Sequence, residues 1–124
     1  MSQDIVADAL NKIMNATRAG KTSLKLKHHS KLLISILAIA KLRGYLKNYH
    51  VEGTSLEVEI GKLNACQAIK PRYMVSVEEF DRFVKRYLPA KNIGVIIIST
   101  SQGIMTHHTA YEKNVGGSLL AYLY

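Results

Sequence analysis

Within the first 60 residues the spacing of apolar side chains changes character three times, and this constrains the fold more than any other feature of the chain. Ile5, Ala9, Leu10, Ile13 and Met14 recur at helical spacing over residues 3–16, with Asp4 early, where the helix dipole favours a carboxylate. Gly20 breaks that pattern. Thr22 to Lys27 then alternates, sending Leu24 and Leu26 to one face and Lys25 and Lys27 to the other, which predicts a half-buried strand. Ser30 is a good N-cap for a broad apolar helix through Leu33, Ile34, Ile36, Leu37 and Ala40. Gly44 closes it, with Lys41 and Arg43 in the last turn, where cations are favoured. Tyr45–His50 and Leu56–Ile60 read as strands joined across Glu52-Gly-Thr54. The second sends Leu56, Val58 and Ile60 inward and Glu57 and Glu59 outward, onto a solvent face or beside a basic one. The order is αβαββ.

Gly61 to Asn64 is the expected boundary, which makes residues 1–62 one small module and 63–124 another. In the second, Ala65–Ile69 and Tyr73–Val75 are strand-like and flank Pro71, which suits a strand edge or turn. Ser76-Val-Glu-Glu79 is a capping box that opens a helix carrying Phe80, Phe83, Val84 and Tyr87 on one face, ended by Leu88-Pro89. Val95–Ile98 is β-branched and predicts a buried strand; Leu119–Tyr124 predicts a final strand with Tyr122 and Tyr124 on one face. The expected class is α/β in the α+β sense, with a mainly β second module holding one or two short helices.

Charge placement narrows the function. The chain carries +8 on 124 residues, yet Ala9 to Val51 holds nine basic residues and no acid. A second acid-free run from Arg82 to Tyr111 carries Arg82, Lys85, Arg86 and Lys91. Most acids gather at Asp4 and Asp8, at Glu52 to Glu59 and at Glu78 to Asp81. Soluble surfaces ordinarily mix signs, so long acid-free runs point to an external polyanion. The single cysteine, Cys66, excludes an intramolecular disulfide and any CxxC site. No apolar run approaches the ~20 residues a membrane span needs, and the amino terminus lacks a signal-peptide pattern, so a cytoplasmic chain with no membrane partner is expected.

Ser99-Thr-Ser-Gln-Gly103 follows the buried strand with three hydroxyls, an amide and a glycine. Short hydroxyls beside the backbone suit ribose, phosphate and base edges, while the plainer reading is a capped turn. Gly103 permits either an unusual turn or a close approach. Gly116-Gly117 leads into the last strand, where a turn or bulge explains it more readily than a ligand, though both glycine features lie at ends of strands that could be neighbours. Lys25, Lys27, Ser30 and Lys31 form a phosphate-seeking group at a helix start, extended by Asn15, Arg18 and Lys21 at the end of the preceding helix. Catalysis has little support. His28-His29 and His107-His108 are adjacent pairs whose members point apart, and Cys66 reads as a buried, inert thiol. No catalytic residue, metal ligand, cofactor or small-molecule substrate is expected.

Ile97-Ile-Ser-Thr-Ser-Gln-Gly-Ile-Met-Thr-His107 followed by Gly116-Gly-Ser-Leu-Leu-Ala-Tyr122 resembles the C-terminal signature of the eighth small-subunit ribosomal protein family. Asp8-Ala-Leu-Asn-Lys-Ile-Met-Asn-Ala16 and Ser30-Lys31 resemble its N-terminal module. Asn64-Ala-Cys-Gln-Ala-Ile-Lys-Pro-Arg-Tyr73 and Arg86-Tyr-Leu-Pro-Ala90 resemble its archaeal and eukaryotic branch. The resemblance spans essentially the whole chain. It implies a structural constituent of the small ribosomal subunit, a primary binder of the central domain of small-subunit rRNA that helps organise platform and body and catalyses nothing. It implies that Ser99, Thr100, Ser101 and Gly103 meet an rRNA internal loop with Gly116 and Gly117 nearby, and Gln102 of the same loop is a further RNA-binding candidate. Asn15, Lys31 and the strand lysines would meet the backbone, with Arg18 and Ser30 as further RNA-binding candidates beside them, and neighbouring small-subunit proteins would be partners. The chain departs from the family pattern in a shortened hairpin between Gly44-Tyr45 and Gly61-Lys62 and at His108, Tyr111 and Ser118. Two other readings of the same residues are a translational repressor binding its own messenger and a basic protein–protein scaffold module.

Overall fold

The computed structural model describes residues 5–70, 72–90 and 92–124, so expectations resting on Asp4, Pro71 and Lys91 lie outside the described residues. The chain divides into two compact units between Gln67 and Ala68.

The first unit runs α1 (Ile5–Arg18), β1 (Ser23–Leu26), α2 (Lys31–Leu42), β2 (Leu46–Glu52) and β3 (Ser55–Ile60). Its sheet has the order β1-β3-β2, with both pairings antiparallel. Strand β3 is central because its alternation is the cleanest: Leu56, Val58 and Ile60 are buried, and Glu57 and Glu59 are exposed. Each such aliphatic burial is worth about 1.5–3 kcal/mol, enough to hold the register against a one-residue slip that would expose all three. The helices pack on each other, α1 against β1 and α2 against β2.

Val6, Ala9, Leu10, Ile13 and Ala16 are the buried stripe of α1, so the apolar face is turned slightly from the one expected, and Ile5 and Met14 are only half-buried. Val6 and Ala16 complete the i, i+3, i+4 series around Ala9 and Ile13, which accounts for the turn. Ser30 caps α2 as its chemistry demands, with its hydroxyl accepting from the Leu33 N–H at 3.2 Å. At the other end Gly44, at φ +84°, provides the left-handed turn into β2. Lys41 Nζ donates to Asn48 Oδ1 at 3.2 Å, pinning the helix end to the sheet edge. The short β2–β3 turn is held from outside, since His29 Nε2 lies 2.8 Å from the Gly53 carbonyl oxygen and donates to it.

The second unit contains β5 (Met74–Val75), a 3-10 turn at Val77–Glu79, α3 (Phe80–Tyr87), β6 (Val95–Thr100), β7 (Gly103–Thr106), α4 (His107–Lys113) and β8 (Gly117–Leu123). Strand β4 (Cys66–Ala68) spans the division between the units. The sheet order is β4-β8-β6-β7, with β5 also on β8. Val95 to Ile98 are buried on both sheet faces, as a continuous β-branched run requires. Ile96, Ile98 and Leu119 meet Phe80, Phe83, Val84 and Leu88 of the α3 region in one core.

The helix start at Ser76 follows the capping-box pattern. The Ser76 N–H and hydroxyl both donate to Glu79 Oε1, at 3.0 and 3.1 Å, while Arg82 Nη2 holds Oε2 at 2.9 Å. The Ser76 bonds, backbone first, and then Arg82 hold the Glu79 carboxyl below its ordinary pKa. Strand β7 and helix α4 have weaker sequence signals. Thr106 caps α4 by accepting from the Thr109 N–H at 3.3 Å, and Asn114 ends it in a left-handed conformation at φ 57°.

Candidate nucleic-acid interface

The hydroxyl segment straddles a tight hairpin. Ser99 and Thr100 end β6, Gly103 begins β7, and Ser101 and Gln102 form the exposed tip. Gly103 sits at φ +115° with nothing near where a Cβ would stand, so its role is turn geometry rather than close approach. Thr100 is spent on that turn: its hydroxyl donates to the Gly103 carbonyl at 2.8 Å and accepts from the Gln102 N–H at 3.0 Å. Among the described residues the hydroxyls of Ser99 and Ser101 have no partner and are open to a ligand.

Gly116 and Gly117 have the opposite purpose. A Cβ on Gly117 would lie 2.1 Å from the Ser99 carbonyl oxygen, and one on Gly116 would lie 2.4 Å from the Val75 carbonyl oxygen. The pair lets β8 enter between β5 and β6, and strand packing accounts for both glycines.

That entry creates a surface legible only from register. Met74 stands opposite Ser118, Ser118 opposite Ser99, and Ser99 opposite Ile104. Directly opposed residues of antiparallel strands share a face, so the four side chains form a row across β5, β8, β6 and β7. The row has apolar ends and two central hydroxyls. Ser118 donates to Met74 Sδ at 2.8 Å, and Met74 is 75% exposed. Beside the free Ser101 at the tip, the row offers apolar contact for a base or ribose and hydroxyls for its polar edge. Met74 and Ile104 are the participants that sequence reading did not assign to this surface, and Ser118 stood out there only as a departure from the family pattern. Alternation within β8, with Leu119 inward, was the available signal.

The expected group of the first unit is only partly brought together. Asn15 and Arg18 are exposed near the end of α1, one helical turn apart. Ser30 and Lys31 begin α2, where the Ser30 hydroxyl is already used as a cap and Lys31 is exposed. Lys27 lines a small cleft with Lys12 and His28, which joins it to the first half of α1 rather than to Arg18. Lys25 lies directly opposite Glu57, whose other neighbour across the sheet is His50. Ser23 and Asn48 flank Glu59 in the same way. The outer sheet face is therefore mixed in sign, and of the two glutamates it is Glu57 that sits directly beside a basic residue.

Among the described residues the one cysteine and the buried histidine are held in structural roles. Cys66 is 2% exposed, its Sγ donates to the Leu10 carbonyl at 3.4 Å, and burial pushes its thiol up to about 12. A thiol held protonated is a poor nucleophile. His107 is buried, with Nδ1 accepting from the Ile96 N–H at 3.1 Å, so it ties α4 to β6; its ring centre lies 3.9 Å from that of His108, so this pair does not point apart as expected. Among the described residues no group of three His, Cys, Asp or Glu side chains is placed to hold a metal ion, and no helix is long and apolar enough to cross a membrane.

Comparison with known proteins agrees with the resemblance drawn from the motifs. The profile of the family described as ribosomal protein S8 matches residues 4–124. The chain is 44% identical over 126 residues to the small ribosomal subunit protein uS8 of Methanococcoides burtonii, covering 98% of this chain and 97% of that one. It is 41% identical over 129 residues to the protein of the same name from Nanoarchaeum equitans, covering all of both. With both relatives archaeal and the family match running over residues 4–124, the chain belongs to the ribosomal protein S8 family, in its archaeal and eukaryotic branch, and its part in translation is structural and RNA-binding rather than enzymatic.

Proposed function

We propose that this chain is a constituent of the small ribosomal subunit in the cytoplasm, where it binds the central domain of small-subunit rRNA directly and supports assembly of the platform and body beside neighbouring subunit proteins. The observation that carries the reading is the Met74–Ser118–Ser99–Ile104 row with the free Ser101 hydroxyl beside it. A flat strip of apolar contacts interrupted by hydroxyls matches the small polar targets of an irregular RNA loop. Residues 1–62 and 63–124 divide the work. The first module supplies mainly phosphate contacts from Lys27, Lys31, Arg18 and Asn15. The second supplies register through Ser99, Ser101, Gln102 and the strand row, with Thr100, Gly103, Gly116 and Gly117 shaping the surface that does so.

Phosphate contacts should dominate the affinity. With about five to eight of them, the plot of log affinity against log salt for a central-domain rRNA fragment has an expected slope on the order of −5 to −7, by analogy with duplex DNA. Filter binding or calorimetry over a series of salt concentrations checks it, and a slope near zero overturns the electrostatic account.

A further inference from the structure

Arg82 and Arg86 lie one turn apart on α3 but are held differently. Arg82 is neutralised by Glu79 at 2.9 Å. Arg86 has no acidic partner among the described residues, and its guanidinium lies over two rings, with Cζ 5.7 Å from the centre of Tyr73 and 5.4 Å from that of Tyr87. Tyr87 in turn stacks on Tyr122 at 5.3 Å, and Tyr122 on Tyr124 at 6.2 Å, so the arginine is braced by a rib of aromatic rings running from α3 onto β8. A guanidinium fixed by ring faces keeps its N–H donors in one plane at its edge, loses little further entropy on binding, and fits an oxyanion with two acceptors. Lys85 and Arg72, next in sequence to Arg86 and Tyr73, are exposed and add positive charge nearby.

This face is separate from the hydroxyl row. Tyr122 is opposed to Ile96 and lies on the side of the sheet that packs α3, the side to which Ile98 also points. Ser99, the next residue after Ile98, points to the other side. We propose that the Arg86 face is a second RNA contact, taking a backbone phosphate from an rRNA segment other than the one on the hydroxyl row; the proposal rests on the rRNA-binding reading above. A polyanion fits the face better than a protein does. Protein interfaces centre on exposed apolar or aromatic anchors, and the exposed large apolar residues of the described chain are Leu42, Val51, Met74, Ile93 and Tyr111, none of which belongs to the rib. Here the ring faces are already spent on one another and on arginine.

Tethered cleavage tests this on the full chain bound to small-subunit rRNA. The buried thiol of Cys66 resists modification, so iron–EDTA attaches at an introduced cysteine. Lys85→Cys places the probe beside Arg86, and Gln102→Cys places it at the hairpin tip. The expected result is strand cleavage from both sites in two rRNA segments that do not overlap. Cleavage from Gln102→Cys alone, or from both probes in one segment, overturns the second contact and leaves the rRNA-binding reading standing; silence from both overturns the two together. Crosslinks from the Lys85 position to protein only, in reconstituted subunits, also overturn it. As an independent readout, Arg86→Ala is expected to lower the salt slope by about one, by analogy with duplex DNA. Arg86→Lys is expected to restore that slope without the full affinity, having charge but no planar fork. An unchanged slope in Arg86→Ala, with an unchanged circular dichroism spectrum, contradicts the phosphate contact.

Discussion

Thr100 and Ser101 are neighbours of similar chemistry with different employment. Thr100 closes the hairpin through two hydrogen bonds to Gly103 and Gln102. Ser101 is exposed at the tip, and its hydroxyl is open to a ligand. Replacing Ser101 by alanine should therefore leave the thermal midpoint of the free protein unchanged and cost about 1–3 kcal/mol of rRNA binding, because a polar group on the RNA loses its partner. Thr100→Ala should show the reverse order, losing stability first. Equal rRNA binding by the wild type and Ser101→Ala at matched salt would remove Ser101 from the interface. The three consecutive hydroxyls looked equivalent in the sequence, because a residue's type does not say whether its hydrogen bonds are already spoken for. The two kinds of glycine were equally indistinct. Gly103 is required by its φ and Gly117 by the nearness of another backbone, and only three-dimensional packing separates those reasons.

Legibility of the elements followed the strength of their apolar pattern. Helix α2 and strand β3 were readable because many buried aliphatic positions repeat at one period and Ser30 marks the helix start. Strand β7 and helix α4 were not: β7 spans four residues, and α4 spans seven with only His107 and Ala110 buried. Such short elements take their stability from tertiary contacts rather than from propensity. The surface row was hidden for a related reason, since it depends on the registers of three strand pairings at once. Strand β8 is the element on which those registers hinge. Gly117→Ala would drive a methyl group to 2.1 Å from the Ser99 carbonyl oxygen, so β8 must shift away from β6. The expected cost is about 3 kcal/mol or more, in the range of a severe core change, with a matching fall in the urea midpoint. Gly103→Ala, which meets open space but a left-handed φ, should cost clearly less, about 1–2 kcal/mol. Equal midpoints for the two variants would contradict the division between close approach and turn geometry.

Over the whole molecule, the +8 charge was the clearest functional signal in the sequence, and the structure changes which lysines it points to. An acid-free run along the chain does not make an acid-free surface, because β3 carries Glu57 and Glu59 back beside β1. Lys25 and Lys27, two residues apart and both exposed, are thus unlike. Lys25 faces Glu57 across the strand pair. Lys27 shares its cleft with Lys12, His28 and Asp8, and no carboxylate stands opposite it in a strand pair. A lysine already opposed by a carboxylate attracts fewer RNA counter-charges and has less to contribute when a phosphate arrives. Lys27→Ala should lower the salt slope of rRNA binding by about 0.9, the duplex-DNA value for one phosphate contact, and weaken all RNAs alike. Lys25→Ala should lower it by clearly less, and Glu57→Gln should strengthen binding by freeing Lys25. Parallel titrations of the three variants decide the matter. If Lys25→Ala flattens the slope as much as Lys27→Ala, the charge along the chain matters more than its pairing across the sheet.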